Sequence, residues 1–228
     1  MSRFSIKTVE FDLVMAVWRE SPQANVFNNP LVLNKLAFKV DWWSVVKGDE
    51  IQCIWPVSLN EFMEPAIPAF AYWNGPFWSK LGYHQPYHRV LHNISSVYNL
   101  FITAFIDNYK SIKASLHPSL HDVRIFDWWN YNDDNAPRFI IRPRYSAEIE
   151  LDKKDIELIR DEFRTNRRRE LKKSNKYLKN FYYNDSCSLE ELASLYSETL
   201  GIEKTVSESK LRNLLDVVES GHGWIQSL

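Results

Sequence analysis

The sequence predicts a mixed α+β fold, and three observations carry that prediction. Residues 42–57 read as a β-hairpin. Residues 90–109 read as a long amphipathic helix. Residues 154–179 read as a second long helix, rich in Arg and Lys. Strand and helix periods thus alternate along one chain.

The first stretch, Phe4 to Val17, mixes apolar and polar residues and suits helix or strand, and Ser21-Pro22 breaks it. Asn28-Asn29-Pro30 reads as a helix start, a polar cap followed by Pro in the first turn. Leu31, Leu33, Leu36, Ala37 and Val40 give that helix an apolar face, and Lys35 lies within it.

Trp42 to Val46 and Ile51 to Val57 are rich in β-formers, and Gly48-Asp49 between them is a turn signal. Pro56 donates no hydrogen bond and predicts an edge or the end of regular pairing. From Glu64 to Gly82, Pro65, Pro68, Gly75 and Pro76 predict a strand fragment and a long aromatic loop around Tyr72-Trp73-Asn74-Gly75-Pro76-Phe77-Trp78. Long ordered loops carry function more often than short ones.

Between Val90 and Tyr109, apolar residues recur every three or four positions, from Leu91 through Ile94, Val97, Phe101 and Phe105. This predicts a core helix packed on a sheet. Ile112 to Leu116 reads as a strand ended by Pro118, and Phe139 to Leu151 as a second extended stretch. Phe181 to Tyr183 reads as a short strand, followed by helices over 189–200 and 207–220. Ser188 with Glu191 forms a capping-box pattern, and Gly221 and Gly223 close the second helix. Trp224 to Leu228 begins another strand, so the chain reads as a piece of a longer α/β unit or as one completed by an adjoining chain.

The formal net charge of -1 excludes a chain that is polycationic throughout, so any basic surface is local. Aromatic residues make up 14% of the chain, with nine Trp, which fits an aromatic core or a ring-stacking pocket. Cys53 and Cys187 lack metal-ligand spacing and predict a reduced, cytoplasmic chain. No apolar run approaches the roughly 20 residues of a membrane span.

The basic helix carries an apolar stripe of Ile156, Ile159, Phe163, Leu171 and Leu178. Arg167 falls on this stripe between Phe163 and Leu171, and Ser174 between Leu171 and Leu178. A guanidinium on a buried face needs a partner. Either a protein carboxylate or a ligand's phosphate or carboxylate satisfies it. Arg160, Arg164, Arg168, Arg169, Lys172, Lys173, Lys176 and Lys179 surround it, opposed in this stretch by Asp161, Glu162 and Glu170. Such a field favours an anionic partner: a nucleotide-sugar diphosphate, a coenzyme A tail or tRNA.

Phe163-Arg164-Thr165-Asn166-Arg167-Arg168-Arg169-Glu170-Leu171-Lys172-Lys173-Ser174 resembles the basic segment of FemAB-like transferases. Tyr145 to Leu151 resembles the strand that precedes it there, and Leu189 to Thr199 the Leu-Glu-Glu-Leu helix that follows. Trp73-Asn74-Gly75-Pro76 is similar to the family's Tyr-Gly-Gly-Pro turn, and Phe27-Asn28-Asn29-Pro30 to its Phe-x-x-Pro entry.

The resemblance implies a GNAT-like acyl-CoA N-acyltransferase fold. One nearly complete domain would cover residues 1–152, and the start of a second would cover 153–228. It implies transfer of an acyl or aminoacyl group, from acyl-CoA or aminoacyl-tRNA, to the amine of a cell-wall precursor, amino sugar or peptide, with no permanently bound cofactor. Arg167, Arg168 and Lys35 would hold the acceptor's phosphates. Tyr72, Trp73, Asn74 and Trp78 would line its pocket. The departure is the lack of an Arg/Gln-x-x-Gly-x-Gly/Ala phosphate loop, which leaves donor binding unaccounted for.

Other clusters carry less chemistry. His84, His88 and His92 recur at helical spacing, but Pro86 interrupts them and no carboxylate is near. The stretch Asp127-Trp128-Trp129-Asn130 reads as a core element running into a solvated turn, or as a pocket wall with Asp127 as a base. No nucleophile–base pattern is present. The rival reading is a binding module that grips tRNA or another polyanion without chemistry, and a third is a GNAT-like remnant with a structural role.

Overall fold

A computed structural model describes residues 4–80, 86–109, 111–120, 122–144, 155–177, 187–200 and 207–222. The described residues form four strands and eight α-helices, a mixed α+β architecture. The sheet is antiparallel throughout, in the order β1-β2-β3-β4.

The N-terminal stretch holds both a strand and a helix, β1 (Phe4–Thr8) and α1 (Phe11–Glu20). α1 stops where Ser21-Pro22 predicted, with Ser21 as its C-cap. α2 (Pro30–Leu36) starts as its sequence requires: Pro30 occupies the first turn, and the Asn29 side chain accepts from the Leu31 N–H at 3.0 Å.

β2 (Lys39–Lys47) and β3 (Glu50–Leu59) form the expected hairpin. Gly48 at its tip has φ 61, a conformation open to glycine at little cost. β4 (Phe77–Trp78) pairs with Cys53 and Ile54 alone, so Pro56 sits where β3 has no ladder on that side.

Along β3, Cys53, Trp55, Val57 and Leu59 point to one buried cluster and Ile54 to another. The period of two divides the side chains between two covered faces. α3 (Tyr87–Asn108) covers the first face with Val97, Tyr98, Phe101, Ile102 and Phe105. Val14 of α1 and Leu33 of α2 cover the second, with Trp42, Ala71 and Phe77. Burial on both faces explains why residues 51–57 read as a nearly continuous apolar run.

Much of the aromatic content belongs to this core. Trp55 is buried with its ring 5.6, 5.4 and 5.3 Å from those of Tyr98, Phe101 and Phe105. All three pairs are edge-on, the favoured geometry for rings.

Two expectations change. Residues 112–116 form no strand: Ser115 meets Gly75 through one backbone bond and no ladder extends from it. The helix expected over 154–179 is broken into α5 (Ile156–Glu162) and α6 (Thr165–Tyr177). Phe163 is extended, ψ 139, and its N–H closes α5 on the Arg160 carbonyl. The expected strands over Phe181–Tyr183, Trp224–Leu228 and Tyr145–Leu151 lie outside the described residues.

α4 (Arg124–Asp127), α7 (Leu189–Leu200) and α8 (Glu208–Val217) complete the helices, and a π turn over Val218–His222 follows α8. The capping box is present: the Glu191 N–H donates to Ser188 Oγ at 3.2 Å and the Ser188 N–H to Glu191 Oε2 at 2.8 Å. Gly221, φ 78, ends the last helical turn. The chain divides into two compact units, Met1–Phe139 with Ser188–Trp224, and Ile140–Cys187 with Ile225–Leu228. The break that the sequence places after residue 152 lies outside the described residues. α7 and α8 fall in the first unit, where α8 packs on α2.

Candidate functional site

The aromatic loop between β3 and β4 is held by side-chain caps and by contacts with residues far along the chain. Asn60 starts it, its side-chain oxygen accepting from the Phe62 and Glu64 N–H groups at 3.0 and 2.9 Å. Three bulky residues then take left-handed backbone: Met63 (φ 58), Phe70 (φ 65) and Trp73 (φ 54). Each such residue costs about 1–2 kcal/mol. Strain of this kind persists where surrounding contacts over-determine the backbone, and it gathers at binding sites.

Ser115 supplies three more of the contacts that hold the loop. Its hydroxyl accepts from the Trp73 N–H at 3.2 Å, its N–H donates to Asn74 Oδ1 at 3.3 Å, and its carbonyl accepts from the Gly75 N–H at 2.9 Å. Asn74 is therefore a buried anchor. Trp78 is buried in the core at 4% exposure, with its N–H donating to Gln23 Oε1 at 3.0 Å. Of the four loop residues singled out from sequence, Tyr72 and Trp73 are the ones that reach the surface.

There they join aromatic rings from distant parts of the chain. Phe27 lies 5.7 Å from Tyr72 and 5.9 Å from Trp73, edge-on to both. Trp73 lies 6.0 Å from the His117 ring. Phe70 lies 6.0 Å from Tyr196 of α7. Burial, and then the neighbouring Tyr72, raise the Tyr196 pKa above its ordinary value. Tyr72 itself is 65% exposed. The result is a fixed aromatic platform with phenol groups at its edge, suited to a flat or ring-bearing ligand. Phe27, Phe70, His117 and Tyr196 were not among the predicted site residues. Their meeting has no local signature, because four separate segments bring them together.

Lys35 is exposed in the last turn of α2, and Asp127 is exposed at the end of α4. His88 and His92 lie on α3, and among the described residues no three His, Cys, Asp or Glu side chains gather as a metal site. No helix among the described residues is long and apolar enough to cross a membrane.

In the second unit, α6 carries Arg167, Arg168, Arg169, Lys172, Lys173 and Lys176, all exposed. Arg167 does not lie on a buried face. The break at Phe163 restarts the helical phase, and the Arg167 side chain is 76% exposed. Its partner is a protein carboxylate, Glu170 Oε2 at 2.8 Å. An exposed pair of this kind adds little stability. Its local consequence is that Arg167 is partly neutralised while Arg168, Arg169 and the lysines of α6 face solvent.

No family model, curated protein or solved structure matches the chain.

Proposed function

We propose that the chain recognises an anionic substrate for N-acyl or aminoacyl transfer. In that reaction an amine of the acceptor attacks the carbonyl of an acyl thioester or aminoacyl ester. An amide forms, coenzyme A or the 3′-hydroxyl of tRNA leaves, and the amine's proton passes to a base. Asp127 is the carboxylate this reading offers for that role. The acceptor class is a cell-wall precursor, amino sugar or peptide, and both donors are cytoplasmic molecules.

The observation that carries the reading is α6, whose row of exposed cations coincides with the segment resembling the FemAB-like basic motif. An antiparallel sheet with helices on both faces suits the GNAT-like domain the reading requires. Within the first unit, the aromatic residues around Tyr72 and Trp73 form a surface suited to a ring-bearing molecule. Positioning and charge stabilisation would then supply the catalysis.

The test combines binding and turnover. Calorimetric titration with UDP-N-acetylglucosamine should lose most of its affinity in the Arg168→Ala variant. Acetyl-CoA or aminoacyl-tRNA, incubated with the chain and an amine acceptor, should release thiol or deacylated tRNA. Neither release, with either donor, would remove the transfer reading.

The second reading is a polyanion-binding module without chemistry. The solvent-facing cations of α6 and its single described ion pair favour it. It predicts tight, salt-sensitive tRNA binding with no acyl release.

A further inference from the structure

We propose that a groove in the first unit, between α3 and residues 122–130, binds an uncharged saccharide. The groove is open to solvent, with a volume of about 580 Å³, within the range of small-ligand sites. One wall is a polar strip of α3: His92, Ser95 and Asn99 follow the three-and-four spacing on one side of the helix. None of the three has a side-chain hydrogen bond within the described residues. The opposite wall is Asp122, Arg124, Trp128 and Trp129.

The charge of this lining decides the ligand class. Asp122 and Arg124 face each other as a fork, Arg124 Nε and Nη2 donating to the two carboxylate oxygens at 2.9 and 2.6 Å. The Arg124 backbone N–H adds a third bond at 3.1 Å. An incoming phosphate would meet the Asp122 carboxylate, and an incoming amine would meet the guanidinium. Both are disfavoured beside a closed ion pair, so the groove selects a neutral partner. This separates it from the cationic face of α6, and the inference does not depend on transfer chemistry.

The shape of the partner follows from the tryptophans. Trp128 is 62% exposed, and the Arg124 guanidinium lies 5.7 Å from its ring centroid. Trp129 packs against the core below it. Asn130, next along the groove, has φ 57 and is tied by its side-chain amide to the Pro137 carbonyl at 2.9 Å. A flat aromatic ring beside amide, hydroxyl and imidazole groups suits a molecule with one apolar face and a rim of hydroxyls. A pyranose has that form. Each sugar hydroxyl both donates and accepts, which matches Ser95, Asn99 and His92.

The experiment follows the indole N–H resonances of the chain by NMR, with Trp128 and Trp129 assigned from Trp128→Phe and Trp129→Phe. Cellobiose, maltose and N,N′-diacetylchitobiose are the probes, and AMP is the stacking control. At least one disaccharide should shift the Trp128 resonance with millimolar half-saturation, while AMP leaves it in place. Asn99→Ala and Asp122→Asn should each weaken that binding several-fold with the other indole resonances unmoved, which shows the fold intact. A Trp128 shift with AMP and none with the sugars would assign the groove to a nucleobase and overturn the proposal. So would the absence of any Trp128 shift with all three disaccharides, or shifts confined to tryptophans outside the groove.

Discussion

Gly75 and Ser115 touch backbone to backbone. The Gly75 N–H donates to the Ser115 carbonyl at 2.9 Å, and a Cβ built on Gly75 would stand 2.9 Å from that same oxygen. The Leu116 Cα would lie 3.4 Å away on the same side. These are backbone atoms, with no flexible side chain to swing clear. Gly75→Ala should therefore part the aromatic loop from residues 115–116 at a cost of about 1–3 kcal/mol, in the range of overpacked sites. Urea denaturation measures the cost. A variant as stable as the parent would show that this contact does not hold the loop.

Trp73 gives a second prediction, because its ring and its backbone make opposite demands. The ring packs on Phe27 and His117, while φ 54 suits glycine. Trp73→Ala and Trp73→Gly both delete the ring, so the difference between them reports the backbone. The Gly variant should be more stable than the Ala variant by about 1 kcal/mol, the reverse of the usual order. Parallel denaturation curves decide it. An Ala variant equal to or better than Gly would argue that the loop relaxes out of its left-handed conformation once the ring is gone.

How far the sequence could be read follows from these same residues. Asn29, Pro30, Ser188 and Glu191 act within one helical turn, so their roles were visible in the order of letters. The hairpin was visible for the same reason, since its partners adjoin Gly48-Asp49. Arg167 was misplaced because its stripe was counted across Phe163, where the chain becomes extended and the period restarts. Trp78 resembled a loop aromatic, but pairing with Cys53 draws it into the core, and that pairing spans a long loop. The platform of Phe27, Tyr72, Trp73 and Tyr196, and the groove joining His92 to Trp128, are long-range products of the fold. Periodicity carries no trace of such meetings.

Tyr109 supplies a pH prediction. Its hydroxyl accepts from Trp43 Nε1–H at 3.0 Å and donates to Asp41 Oδ2 at 2.6 Å. Burial, and then the Asp41 carboxylate, raise the Tyr109 pKa well above its ordinary value of 10.0. A raised pKa means that the folded state holds the proton more tightly than the unfolded chain. The contribution is whole below the unfolded value and is lost as pH rises through and beyond it. Tyr109→Phe should cost about 1.5–3 kcal/mol near neutral pH, as expected for a hydrogen bond to a charged group. The gap between parent and variant should then narrow above about pH 10. Thermal melts across that range measure it. A gap of constant size would mean that Tyr109 titrates alike in both states.

The cations of α6 differ in what they have left to offer an anion, and salt dependence can separate them. Arg167 already shares its charge with Glu170 at 2.8 Å, whereas Lys172 and Lys173 face solvent with no ion pair to any carboxylate among the described residues. Each phosphate neutralised should steepen the plot of log affinity against log salt by about 0.7–0.9. The double variant Lys172→Glu, Lys173→Glu should weaken binding of labelled tRNA and flatten that slope by about 1–2. Arg167→Ala should change it less, because removing Arg167 also frees Glu170. Anisotropy titrations from low to physiological salt give the slopes. A parent slope near zero would remove α6 as a phosphate-binding face. Equal effects of Arg167→Ala and the double variant would show that the Arg167–Glu170 pair opens when the anion arrives.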